Sequence, residues 1–151
     1  MGFFSDVFIA SDTELATLRP GAGGPEGRFP TVPGKGIDPV KLARLEAILT
    51  QYQGDILALV NEAWDDEHLV YAGDEESVHR FPETLSAALA QLLSEAIGPY
   101  VEVWAATEEF RRDGADTPKG RESLRQWLGA VRELAQRGLR EGRSLYIWWG
   151  L

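Results

Sequence analysis

The chain finishes on SLYIWWGL, Ser144–Leu151, and starts with FFSDVFIA, Phe3–Ala10. Both segments are short, aromatic and β-branched, as strands are. Alternation puts Leu145, Ile147, Trp149 and Leu151 on one face, with Tyr146 and Trp148 on the other. Both faces are apolar, so the strand should be covered on both sides. The patterns between the two ends are mostly helical, so neither end has another obvious long partner. The expectation is that the two ends pair with each other. This closes the fold and makes it α+β, a mostly helical single domain spanning residues 1–151 with about five helices on a small sheet.

The helices announce themselves by caps and stripes. Ser11 and Glu14 have capping-box spacing, so a short helix should run to Leu18. In GIDPVKLARLEAILTQYQG, Asp38 is an N-cap, Pro39 the first helical residue and Gly54 the stop. Leu42, Leu45, Leu49 and Tyr52 form its apolar stripe. A helix over 56–64 follows. HLVYAGDEESVHRFP reads as two short strands about a Gly-Asp turn, or as irregular chain. Further helices are expected over 82–98, over 99–114 after the Gly98-Pro99 break, and over 121–141. The last buries Leu124, Trp127, Leu128, Val131, Leu134 and Ala135.

Residues 19–36, RPGAGGPEGRFPTVPGKG, are of another kind. Ten of the eighteen are Gly or Pro, so the segment should form a long loop. Such loops are often functional. It lacks the Walker pattern and the dinucleotide fingerprint, and Asp38 at the following helix start would repel an anion. Its alternative roles are plain connection or closure over a neighbouring site.

Charge restricts the partners. The net charge is −9. Residues 1–75 carry five Lys or Arg against thirteen Asp or Glu, and residues 76–151 carry ten against eleven. Phosphate backbones are bound by Lys and Arg, so nucleic acid is an unexpected partner. Residues 55–76 hold eight acidic residues and no Lys or Arg. Asp65, Asp66, Glu67, Asp74, Glu75 and Glu76 are the candidate acidic docking surface for a basic protein, against the plainer reading of a solvated face. Arg121, Arg125 and Arg132 share one helix face and either meet this stretch inside the fold or bind an anion. The absence of Cys removes disulfides and thiolate chemistry. No apolar run reaches membrane length, and the N-terminus lacks a basic signal-peptide start, so a cytoplasmic protein is expected, with no membrane association.

No catalytic motif is present, and two carboxylates, Glu108 and Asp6, are the candidates for any catalysis. On a continuous helical wheel Glu108 falls at the edge of the arc of Tyr100, Val103, Trp104, Thr107 and Phe110, with Trp104 four residues back. A carboxylate against indole can act as an acid or base; the alternative is a structural pair with Arg111 or Arg112. Asp6 shares a strand face with Phe4 and Phe8. Trp104 and Trp148 are the aromatics placed to line a pocket. His68 and His79 lack a metal-site spacing and read as surface histidines; neither a metal nor a cofactor is expected.

MGFFSDVFIASDTEL, REGRSLYIWWGL, GIDPVKLARLEAIL and WAATEEF resemble segments of small uncharacterised bacterial proteins, the chain ends resembling the YfbM-like family. The resemblance covers about a third of the chain. It implies an α+β fold with paired terminal strands and a bacterial, cytosolic origin, and it implies no activity. Two functions remain. The first is a non-catalytic interaction module, of inhibitor or immunity type, with an acidic docking surface. The second is a small-molecule binder or hydrolase with a pocket under the Gly-rich loop and Glu108 in it.

Overall fold

The computed structural model describes residues 3–151. Its centre is a five-stranded antiparallel sheet in the order β2-β1-β5-β4-β3. β1 (Phe4–Ala10) and β5 (Ser144–Gly150) pair along their whole length, from Phe4 opposite Gly150 to Ala10 opposite Ser144. The two chain ends therefore meet in mid-sheet, and the single α+β domain closes as its sequence requires. β5 is also hydrogen-bonded to β4 (Glu76–Arg80), which forms a hairpin with β3 (Leu69–Ala72) around Gly73-Asp74-Glu75. The outer strand β2 (Thr31–Val32) is a two-residue element set inside the Gly/Pro-rich segment.

Seven α-helices are present among the described residues. α1 (Asp12–Leu15) begins with the Ser11–Glu14 capping box. α2 (Pro39–Thr50) is capped by the Asp38 side chain, and α3 (Ile56–Ala63) by Asp55. α4 (Glu83–Gln91) is followed by a 3-10 turn at Ser94–Ala96. α5 (Ile97–Ala105) and α6 (Glu108–Arg112) stand where one helix was expected. Pro99 does not start α5; it sits in its first turn, where its missing N–H costs no intrahelical bond. α7 (Pro118–Glu141) starts earlier than its apolar arc suggests because Thr117 caps it, and Gly142 ends it with φ 69°.

The two faces of the sheet are covered differently. On one, Val7, Ile9, Leu145, Ile147 and Trp149 pack with the helices, whose buried side chains include Leu42, Leu45, Leu85, Trp104 and Leu128. Fully burying one such aliphatic or aromatic side chain contributes roughly 1.5–3 kcal/mol. On the other, Phe8, Tyr146 and Val78 pack with Leu15, Leu18, Phe29, Tyr71 and Trp148. This second cover is α1 and the Gly/Pro-rich segment 19–36, here called the strap. Among the described residues no helix is long and apolar enough to cross a membrane.

Candidate functional sites

The strap crosses the sheet because it is tied to it. Ser5 N–H donates to Gly34 O at 2.9 Å, and Gly34 N–H donates to Asp6 Oδ1 at 3.3 Å. Gly34 has no room for a side chain: a Cβ there would lie 2.8 Å from both Ser5 O and Trp127 Nε1. At the far end Glu76 accepts from the Trp148 indole N–H at 2.9 Å and from the Gly21 N–H. A Cβ on Gly24 would stand 3.2 Å from the Trp148 ring, so the glycine lets the strap lie close on the indole.

Between strap and sheet a cleft of about 500 Å³ remains open, lined by Phe4, Asp6, Gly24, Glu26, Pro33, Gly34, Lys35 and Trp148. Two of the residues singled out in the sequence meet here, Asp6 on β1 and Trp148 directly opposite on β5. Asp6 is 6% exposed. Burial lifts its pKa above the ordinary aspartate value and the nearby Glu26 carboxylate adds to this, while the Gly34 N–H opposes it. The Phe4 and Trp148 rings stack at 6.4 Å and 26°. Lys35 Nζ lies 5.5 Å from the Phe4 ring centre.

Glu108 is not in this cleft. Thr107 adopts an extended conformation (φ −67°, ψ 156°), so the wheel on which Glu108 approached Trp104 is interrupted between α5 and α6. Its side chain is 72% exposed and pairs with Arg112 at 2.9 Å, the structural alternative. Trp104 lies at 0% exposure and donates its indole N–H to Lys41 O at 2.8 Å. It is a core residue and lines no cleft with Asp6.

The acidic stretch divides. Asp65, Asp66 and Glu67 precede β3, while Asp74, Glu75 and Glu76 lie at its other end, roughly 13 Å away for four strand residues. Asp74 and Glu75 are exposed in the hairpin turn. Glu76 is committed to Trp148 and the strap. Asp65 binds His68 Nδ1 at 2.8 Å, and that hydrogen bond is the largest cause holding its carboxyl below the ordinary range. None of the three arginines of α7 pairs with this stretch among the described residues. Arg121 meets Asp116 at 2.8 Å, Arg125 meets Glu122 at 2.7 Å, and Arg132 donates to Leu92 O.

Glu67 does contribute to a larger concavity. A cleft of about 660 Å³ lies between α2, α3 and the start of α4, and Glu46, Glu62, Glu67, Glu83, His68 and Arg80 are on its walls. Glu46 stands apart: it is 5% exposed, and its Oε1 has no hydrogen-bond partner among the described residues. Burial raises its pKa, offset in part by Thr84. A buried carboxylate left this way is costly, and a perturbed acid on a cleft wall is a candidate functional position. The sequence carried the signal unread: at 100° per residue Glu46 sits roughly 40° from Leu42, inside the apolar stripe. The carboxylates line the walls separately; among the described residues no three His, Asp or Glu close on one point as a metal requires.

His79 is not a surface histidine. Its ring packs on Trp149 at 5.1 Å and Trp64 at 6.4 Å, and burial lowers its pKa. Comparison with protein-family models, curated proteins and solved structures finds no match.

Proposed function

We propose that this protein is a non-catalytic interaction module that takes a basic segment of a partner protein through the acidic cleft between α2, α3 and α4. The observation that carries the reading is Glu46, a buried carboxylate with an unpartnered oxygen on the wall of a cleft whose other carboxylates are Glu62, Glu67 and Glu83. A Lys or Arg side chain entering there would satisfy Glu46, while the outer glutamates steer its approach. Desolvated charge pairs carry most of the energy of such contacts, and rim charges carry little. The acidic docking surface is therefore centred on Glu46, with Glu67 at its edge, and Asp74 and Glu75 lie outside it.

Tetra-arginine is a suitable probe. Titrated into the isotope-labelled protein, it should shift amide resonances around Glu46, Glu62, Glu67 and Glu83. Glu46→Gln should weaken that binding about tenfold, the loss of one charge-assisted contact. Glu133→Gln, an exposed control on α7, should not. Diffuse shifts over every acidic surface, unchanged by Glu46→Gln, would sink the proposal.

A further inference from the structure

The cleft under the strap is chemically distinct from the acidic one, and it is independent of that reading. Three observations define it. Its carboxylate, Asp6, is almost wholly buried, yet no Lys, Arg or His pairs with it among the described residues; one long N–H bond from Gly34 is its support. Its walls are aromatic: Phe4, 45% exposed, and Trp148, whose indole is held in orientation by Glu76. Its rings already receive a cation, since the Lys35 ammonium lies over Phe4. Glu26 adds a second carboxylate and Lys35 one positive charge, leaving the cleft negative.

Buried negative charge beside aromatic faces is the combination that binds organic cations, because the ring quadrupole and the carboxylate attract the same charge while the rings also accept its methyl groups. An inorganic ion would lose its water without gaining enough oxygen ligands. A neutral ligand would leave Asp6 uncompensated. We infer that the strap cleft binds a small organic ammonium ion, its alkyl groups against Trp148 and Phe4 and its charge facing Asp6. A volume of about 500 Å³ lies within the range of small-molecule sites. Lys35 then acts as the internal competitor of the ligand, holding the aromatic face while the cleft is empty.

Choline and its neutral carbon isostere 3,3-dimethylbutan-1-ol separate charge from shape. Choline should perturb the Trp148 indole and Phe4 ring resonances saturably, and the isostere should bind at least tenfold more weakly. Asp6→Asn keeps an acceptor for the Gly34 N–H and should weaken choline about tenfold while leaving the isostere unchanged. Phe4→Leu, at a half-exposed position, should weaken choline several-fold. Lys35→Gln should strengthen it several-fold, a gain that misfolding does not imitate. Equal binding of choline and its isostere, or choline binding indifferent to both Asp6→Asn and Lys35→Gln, would overturn the inference. Tetra-arginine binding should persist in Asp6→Asn and choline binding in Glu46→Gln, so the two sites stand or fall separately.

Discussion

The two faces of this sheet are buried by different means. The helical face is sealed by side chains: α2 to α7 cover it, with Leu42, Leu45, Leu85, Trp104, Phe110 and Leu128 among the buried residues, and most of their backbone is satisfied within each helix. The other face is sealed by a chain with little regular structure, in which glycines permit close approach and hydrogen bonds to Asp6, Glu76 and Ser5 replace interdigitated packing. A cover held at a few polar points leaves gaps, and the cleft beside Asp6 is one.

That contrast can be broken most severely at Trp104. It is fully buried, stacks edge-on to Phe110 at 5.0 Å and lies 5.6 Å from Trp127. Trp104→Ala should cost about 3–5 kcal/mol of global stability in urea unfolding. A loss below about 1 kcal/mol would mean that the helical face is looser than its burial implies. The strap responds on a smaller scale. Glu76→Ala removes the acceptor of the half-buried Trp148 indole and of the exposed Gly21 amide and should cost about 0.5–1.5 kcal/mol. The decisive readout is local: amide exchange should accelerate through residues 21–28 while α7 stays protected. Acceleration spread evenly over both faces would show that the strap is not a separate unit of stability.

Legibility in the sequence followed regularity. The pairing of β1 with β5 and their two-sided burial were readable because alternation has period two and the segments had no other long partner. That same period put Asp6 with Phe4 and Phe8, and left Trp148 as the residue most able to line a pocket. What buries the second face was not readable, because Leu18 and Phe29 are separated by Gly and Pro with no period to detect. Glu108 was misplaced by extending one wheel through Ala106-Thr107. The signal against it was local, since Thr followed by two acidic residues is a helix-start pattern. Glu46 is legible only from the whole helical wheel, which sets it roughly 40° from Leu42, inside the stripe that the leucines define.

The two faces also differ in how they titrate, and this gives the smallest and sharpest test. On the helical face His79 is half-buried with its Nδ1 covered and unpartnered among the described residues, Trp64 and Trp149 against the ring, and His68 and Asp66 the charged groups acting on it. Burial, with His68 adding to it, pulls its pKa below the ordinary 6.5, and Asp66 opposes the shift. Its contribution to stability is therefore complete above 6.5 and lost as pH falls through the lowered folded value, because the unfolded chain takes up the proton first. On the strap face Asp6 has the opposite sign. Its folded pKa is raised above 3.8, so its contribution is complete below 3.8 and lost as pH rises through the raised value. Urea midpoints measured from about pH 8 to about pH 4 should separate these terms. His79→Phe keeps an aromatic ring and should flatten the decline on the acid side of 6.5. Asp6→Asn should leave that decline intact and raise the midpoint near neutrality by less than the Glu76→Ala loss, since it relieves a charge that the fold buries without a counter-ion. Stability gained by Asp6→Asn together with choline binding lost would identify the carboxylate as a cost kept for a ligand. Stability lost instead would make Asp6 a tether of the strap and nothing more.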